Sequence, residues 1–226
     1  MNKSAQQLVL PLPVRAALGR DDFFIAPCNA MAVHQLDAWQ NWPRHKLALI
    51  GPTGAGKTHL AHVWATQSSA EIIDAKNIDL ARLENAPAVV VEGGENICGN
   101  PAAQEQLFHL HNAMNASKRP LLLTGRNAPA RWNIVLPDLV SRLSAIPLVH
   151  LETPDDSLLG MMMVKLFSDR QVSVGPELIA YLLKHMDRSY GAAVMLVNEL
   201  DKAAFSAKRP LTVPLAKQIL AGLHER

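Results

Sequence analysis

The stretch Gly51-Pro-Thr-Gly-Ala-Gly-Lys-Thr58 decides the fold. It fits the pattern G-x-x-x-x-G-K-[ST]; an apolar run, residues 46–50, leads into it, and a helical pattern follows it. Strand, glycine-rich turn and helix together form a phosphate cradle, because glycines let backbone N–H groups converge on phosphate oxygens. The helix N-terminus adds the positive end of its dipole. We therefore expect Lys57 to reach the β- and γ-phosphates of a nucleotide and Thr58 to hold Mg²⁺.

Composition narrows the class of protein. The chain has 226 residues, of which 49% are hydrophobic, enough for one large or two small domains. A net charge of +2 and the lack of a long basic run give no strong nucleic-acid footprint. Cys28 and Cys98 lie far apart, which favours a reduced, cytoplasmic protein. The histidines form no clear metal pattern, and no apolar stretch is long enough to span a membrane.

The order of apolar segments predicts an α/β fold. Four further short apolar runs, residues 71–74, 88–92, 121–124 and 147–151, alternate with helical patterns. Such an alternation indicates a five-stranded parallel sheet covered by helices on both faces. Beyond residue 153 only helical patterns remain, four in number. We therefore divide the chain into a tail (1–20), an α/β nucleotide-binding domain (21–152) and a helical lid (153–226).

One helix is expected before the glycine-rich loop. Asn29 is a good N-cap for a helix through about Gln40. Its apolar residues are Met31, Val33, Leu36 and Trp39.

Polar residues at the ends of two predicted strands are candidates for nucleotide chemistry. Glu92 ends the run 88–92, where a carboxylate coordinates Mg²⁺ directly or through water; the alternative is a carboxylate that faces solvent. The next residue, Gly93, cannot act as a general base, so nucleotide binding without rapid hydrolysis is expected. Thr124 and Asn127 follow another buried run and are either a sensor of the γ-phosphate or part of an ordinary turn.

Two segments outside the loop indicate partner binding. Gln7-Leu-Val-Leu-Pro-Leu12 is a proline-broken apolar stretch that cannot form a local helix. It is either an arm that packs on its own domain or a linear motif that docks into a partner's apolar pocket. Arg142 lies at the end of a predicted helix and can project toward the nucleotide of a neighbouring subunit, the alternative being a surface salt bridge.

Together these residues resemble the DnaA-type AAA+ proteins, and most closely their Hda branch in its alphaproteobacterial form. The resemblance covers nearly the whole chain. The matching segments are residues 22–29, which enclose adenine in that family, Gly51–Thr58 with His59-Leu60, the arginine box 136–142, the lid helix 211–220, and the clamp-binding motif 7–12.

The resemblance implies an AAA+ P-loop NTPase core with a helical lid that binds ADP or ATP with Mg²⁺. The residues expected around the nucleotide are Phe24, Ile25, Asn29, Gly51, Pro52, Thr53, Gly54, Ala55, Gly56, Lys57, Thr58, His59 and Thr124, with Thr58 and Glu92 serving the metal. It implies that Arg142 is an arginine finger acting in trans on ATP bound to DnaA. It also implies that Gln7, Leu8, Leu10, Pro11 and Leu12 bind the DNA polymerase III sliding clamp.

The sequence departs from the family pattern at two positions. Gly93 replaces the acid that activates water, and the arginine of the third lid helix is missing, since its place falls on Gly191 or Ala192. Arg188, one turn earlier, is the alternative. The residues end at the lid without a helix-turn-helix, so a regulator without sequence-specific DNA binding is expected instead of an initiator.

Three other functions stay open at this stage. They are an active AAA+ ATPase that remodels a partner or loads a helicase, a small-molecule P-loop kinase, and a nucleotide-independent adaptor. Intrinsic turnover would favour the first. Oligomeric state, including a homo-oligomer, is left open by the sequence, and so is any enzymatic activity of the chain itself.

Overall fold

The structure, a computed structural model, describes residues 24–207 and 211–224, with only the backbone described for 205–207 and 223–224. A five-stranded parallel sheet forms its centre, as predicted. The strands are β1 (Lys46–Ile50), β2 (Ala70–Asp74), β3 (Ala88–Glu92), β4 (Leu121–Gly125) and β5 (Leu148–His150), in the spatial order β2-β3-β4-β1-β5. The motif 7–12 and the rest of the predicted tail lie outside the described residues.

Helices cover both faces of the sheet. They are α1 (Ala30–Asp37), α2 (Lys57–Ser68), α3 (Leu80–Leu83), α4 (Pro101–Ala116) and α5 (Pro137–Ser144). Alternate residues of β1 enter different cores, with Leu47 and Leu49 on the side of α1 and α2, and Ala48 and Ile50 on the side of α3, α4 and α5. Burial on both faces explains why the three central strands, β3, β4 and β1, are nearly continuous apolar runs.

Four further helices follow the sheet, as predicted. They are α6 (Asp156–Asp169), α7 (Pro176–His185), α8 (Tyr190–Ala207) and α9 (Val213–His224). They enclose a separate core that includes Leu159, Phe167, Leu182, Val197 and Leu200. We call these four helices the lid.

The helix before the glycine-rich loop differs from its prediction. It ends at Asp37 instead of near Gln40, and Met31 is 64% exposed. The Asn29 side chain does not cap it: Asn29 Oδ1 accepts the Ala26 N–H at 2.8 Å, and Asn29 Nδ2 donates to the Phe24 carbonyl at 2.9 Å. Asn29 therefore folds the segment before the helix, because its side chain is buried and bonded backwards along the chain.

Candidate functional site: a phosphate cradle beneath the lid

The glycine-rich loop lies at the carboxyl edge of the sheet, between β1 and α2. Gly54 and Gly56 have φ of +81° and +102°, which L-residues rarely adopt. A side chain at Gly51 would overlap the Leu151 carbonyl. The loop therefore needs glycine both for its backbone conformation and for its fit against the chain after β5.

Lys57 is the first residue of α2 and lies within the loop. Its Nζ donates to the carbonyls of Gly51 at 2.7 Å and Pro52 at 2.8 Å. Burial lowers the pKa of Lys57, with Glu95 acting in the opposite direction and Arg126 lowering it further. An ammonium group held by the loop at the N-terminus of a helix is suited to the phosphates of a nucleotide.

A cleft of about 810 Å³ opens in front of this loop. Its walls include Thr53, Gly54, Gly56, Lys57, Thr58, His59, Glu92 and Thr124. The structure thus brings most of the predicted nucleotide residues together. Three predicted loop residues do not line the cleft themselves. The carbonyls of Gly51 and Pro52 accept hydrogen bonds from Lys57, and Ala55 lines a neighbouring pocket.

Glu92 and Thr58 face this cleft from neighbouring parts of the fold. Glu92 ends β3, is partly buried, and its Oε1 has no hydrogen-bond partner in the described structure. A buried carboxylate oxygen without a partner is costly unless a cation or donor reaches it. A hydroxyl and a carboxylate are also the oxygen ligands that Mg²⁺ prefers, so the residues present fit a nucleotide-bound magnesium ion.

Gly93 occupies the position of the missing acid. Its φ is +63°, and a Cβ there would overlap the amide nitrogen of Asn96. The Gly93 N–H donates to Thr124 Oγ1 at 3.3 Å, which ties the ends of β3 and β4 together. Glycine therefore suits this left-handed backbone, and the residue brings no group that could accept a proton from water.

A second carboxylate in the cleft, Glu95, is engaged by Arg126. Glu95 accepts hydrogen bonds from the Arg126 Nε at 2.8 Å and the Arg126 N–H at 3.1 Å. Burial alone would raise the pKa of Glu95, but the hydrogen bonds and charge of Arg126 hold that pKa below its usual value. Arg126 was missed, although a basic residue directly after a buried strand was the available signal.

The lid rests directly on the loop. The Tyr190 N–H donates to the Gly54 carbonyl at 3.3 Å, and the Tyr190 ring stacks on His59 with centroids 5.4 Å apart. Gly191, one of the two positions where the sequence comparison places the missing lid arginine, lines the cleft. Arg188 does not line the cleft and pairs with Asp156 at 3.0 Å within the lid.

A second, more apolar pocket adjoins the cleft at His59 and Gly56. The predicted adenine residues Phe24 and Asn29 line it, together with Leu158 and Tyr190. Ile25 does not line this pocket and packs instead against the core beneath α1 and α2. Thr124 faces the main cleft, whereas Asn127 uses its carbonyl to accept the Trp132 indole N–H at 2.8 Å.

Arg142 lies at the opposite edge of the sheet from the loop. It shares a pocket with Lys46, the first residue of β1, whereas the loop follows the last residue of β1. Its guanidinium lies 5.0 Å from the centroid of the Phe108 ring, and its side chain is exposed. It forms no ion pair with any residue in the described part of the chain.

Neither a self-contained metal centre nor a membrane span occurs within the described residues. No group of three or more histidine, cysteine or carboxylate side chains there could hold a metal ion by itself. Among the described helices, none has the length and apolarity needed to cross a lipid bilayer.

Comparison with solved structures defines the class of protein. Domain III of the DnaA initiator from Thermotoga maritima matches with a TM-score of 0.79 at 17% identity, covering 93% of this chain and 98% of that chain. AMPPCP-bound DnaA from Aquifex aeolicus has a TM-score of 0.69 at 16% identity, covering 81% of this chain and 65% of that one. The RuvB Holliday junction branch migration motor of Thermotoga maritima gives 0.65 at 17% identity, covering 87% and 67%. The fold is therefore that of a AAA+ P-loop module, and the chain spans about two thirds of the Aquifex DnaA chain.

The lid gives a closer assignment. Residues 162–220 match the family model described as the lid domain of Hda. Residues 162–220 thus resemble the lid of Hda, and the fold of the chain resembles that of DnaA domain III.

Proposed function

We propose that this DnaA-related protein regulates replication initiation by stimulating the hydrolysis of ATP bound to DnaA while it is held on the sliding clamp. In this proposal the protein acts in the cytoplasm, binds ADP or ATP with Mg²⁺ in its own cleft, and supplies Arg142 to the nucleotide of DnaA. The observation that carries the proposal is the placement of Arg142 at one edge of the sheet and of the nucleotide cleft at the other.

Nucleotide binding is supported by the chemistry of the cleft. Lys57 and the loop N–H groups suit the phosphates, while Thr58 and the unpartnered oxygen of Glu92 suit Mg²⁺. The solved Aquifex DnaA of the same fold is bound to AMPPCP. The pocket of Phe24, Asn29 and Leu158 adjoins the loop at Gly56 and is suited by its apolar walls to hold the base.

Slow intrinsic hydrolysis follows from the same geometry. Gly93 carries no base, and Glu95 is hydrogen-bonded to Arg126 with a lowered pKa, which makes it a weak proton acceptor. The bound nucleotide then stabilises the contact between lid and loop without being consumed. Stabilisation of this kind follows from the linkage between binding and folding.

Arg142 is suited to act on a neighbour because it is exposed, unpaired by carboxylates of the described residues, and oriented by Phe108. A guanidinium stacked on a ring keeps its five N–H donors available. An arginine supplied in trans stabilises the charge that develops on the transferring phosphoryl group.

Clamp binding rests on the motif 7–12, with Leu10 and Leu12 as anchors and Gln7 as a hydrogen-bonding residue. Changing Leu10 and Leu12 to alanine is expected to abolish capture by immobilised clamp, whereas Val9→Ala, at a residue of the same segment that is not assigned to the clamp, should leave capture nearly unchanged. Undiminished capture by the double variant would remove the clamp from the proposal.

Nucleotide binding and turnover by the purified protein alone test the proposal against an active remodelling or helicase-loading ATPase. The expected result is tight binding of ADP or ATP with negligible turnover, and binding lost in Lys57→Ala. Steady turnover that disappears in Lys57→Ala would instead support the remodelling ATPase. Unchanged binding by Lys57→Ala would indicate that the cleft does not hold the phosphates.

A further inference from the structure

A third pocket, separate from the cleft and from its apolar neighbour, lies at the amino edge of the sheet. Its polar residues are Arg44, Lys46, His111, Asn115 and Arg142. We call it the basal pocket. No carboxylate residue is among the described residues that line it, so its charge is entirely positive.

Lys46 forms the floor of the basal pocket. Its residue is 2% exposed, and its Nζ donates to Asn115 Oδ1 at 2.9 Å and to the Arg44 carbonyl at 3.3 Å. An ammonium group has three N–H donors, so one remains beyond these two bonds. Burial lowers the pKa of Lys46, and the charges of Arg44 and Arg142 lower it further.

His111 is a second buried donor or acceptor in the basal pocket. It is 6% exposed, and its Nδ1 has no hydrogen-bond partner in the described structure. Burial is the largest cause that lowers the pKa of His111, to about 4, and Lys46 is the next. A buried polar atom left without a partner is rare, and a water or an ion in the pocket would satisfy it.

The backbone at Arg44 adds an independent observation. Arg44 and His45 have φ of +53° and +57°, an unfavourable region for side chains of this size. Such conformations persist where the surrounding structure enforces them, often at ligand sites. This turn places Arg44 at the rim of the basal pocket.

We propose that the basal pocket binds a phosphate-type oxyanion, held by Lys46 and His111 at its floor and by Arg44 and Arg142 at its rim. The volume of about 160 Å³ suits a small anion, since pockets for drug-sized ligands begin at roughly 300 Å³. Three cations without a carboxylate favour a multiply charged phosphate over a carboxylate. The negative charge of the anion offsets the cost of burying the Lys46 ammonium, and its oxygens provide a hydrogen-bond partner for His111 Nδ1.

The anion has two sources that share this chemistry. One is free inorganic phosphate. The other, which rests on the proposed function, is the terminal phosphate of the nucleotide in the neighbouring DnaA, with Arg142 as one of several contacts.

The first arm of the test uses inorganic phosphate and a readout that is local to the pocket. NMR signals of the His111 imidazole, assigned by comparison with His111→Gln, are followed as phosphate is added to the full chain. A local probe is needed because the glycine-rich loop also suits phosphate. Saturable movement of the His111 signals is expected, with a rise of its pKa from about 4, and acetate at equal ionic strength should have a much smaller effect.

Arg44→Asn removes one cation, and asparagine tolerates a positive φ, so this variant is expected to fold. Phosphate should then bind roughly tenfold more weakly. Arg131→Asn, at an exposed arginine that does not line the pocket, is the matched control and should leave the affinity unchanged. His111 signals that do not move with phosphate, or equal affinities in Arg44→Asn and Arg131→Asn, would overturn the proposal.

The second arm identifies the source once phosphate is shown to bind. Stimulation of ATP hydrolysis on DnaA is compared between the wild type, Arg44→Asn and Arg131→Asn. A fall of about tenfold in Arg44→Asn alone assigns the anion to the partner's nucleotide, and unchanged stimulation assigns it to free phosphate. If Arg142→Ala keeps full stimulation, the proposed function fails, while the His111 readout still decides the basal pocket.

Discussion

Replacing Gly54 with alanine tests whether the lid rests directly on the phosphate loop. A Cβ at Gly54 would lie 2.5 Å from the Ser189 Cβ, just before α8, and the φ of Gly54 is +81°. Carbon atoms in favourable contact are about 3.5–4.0 Å apart, so either the lid or the loop has to move by about 1 Å. The change therefore strains one backbone position and pushes apart the two parts of the fold.

The expected cost has two components. An L-residue at this φ costs about 1–2 kcal/mol, and the overlap with Ser189 adds about 1–3 kcal/mol. For a chain of this size, each kcal/mol lowers Tm by about 2–4 °C, so a fall of at least about 4 °C is expected. Gly99→Ala is the matched control, because Gly99 has φ of +71° and nothing lies within 4 Å of its added Cβ.

Calorimetry of the single variants and of a rescue variant measures these components. Ser189→Gly removes the clashing Cβ, and glycine in place of this helix-capping serine costs only about a few tenths of a kcal/mol. The double variant Gly54→Ala/Ser189→Gly should therefore regain the overlap component. Equal Tm for Gly54→Ala and Gly99→Ala, together with no rescue, would refute a direct contact between lid and loop.

Three further predictions concern the sheet edge and the cores. Gly93→Asp should raise intrinsic ATP turnover, because it supplies the acid that Gly93 lacks, and should lower Tm, because φ is +63° and the added Cβ overlaps the Asn96 side chain; unchanged turnover would contradict the assignment of slow hydrolysis to Gly93. Trp132→Ala should cost about 3–5 kcal/mol in urea unfolding, since Trp132 is 2% exposed, whereas Met31→Ala at a 64% exposed site should cost little. In the folded protein His111 has a pKa of about 4, below its ordinary value of 6.5. The unfolded state therefore binds the proton first, and the free energy of unfolding falls as pH drops from 6.5 to 4. His111→Gln should make this fall shallower, and an unchanged dependence on pH would contradict the role of His111.

The features that sequence predicts best here are local. The five strands are short apolar runs, of which the three central ones are buried on both faces, and the phosphate loop carries its glycines in a fixed pattern. Glu92 and Thr124 were found because carboxyl ends of parallel strands meet at one edge of the sheet. Each of these depends on a few consecutive residues and on the rules of parallel sheets.

The features that were missed depend on residues far apart in the chain. Arg126 engages Glu95 from 31 positions away, and Lys46 meets Asn115 across 69 positions. Asn29 has the composition of a cap, but burial turns its side chain back to Ala26 and Phe24. The hydrophobic periodicity of the sequence does not predict such contacts, because they depend on how helices and strands pack against one another.

The role of Arg142 is tested most directly by the rate at which ATP bound to DnaA is hydrolysed. The rate is measured with clamp loaded on DNA, and the wild-type protein is compared with Arg142→Ala. Stimulation is expected to fall about 10³-fold or more, with Tm nearly unchanged, because Arg142 is exposed and lies against the Phe108 ring. Arg142→Lys should also fail, because an ammonium group lacks the planar fork of donors. If Arg142→Ala stimulates hydrolysis nearly as well as the wild type, Arg142 does not act on the ATP of DnaA.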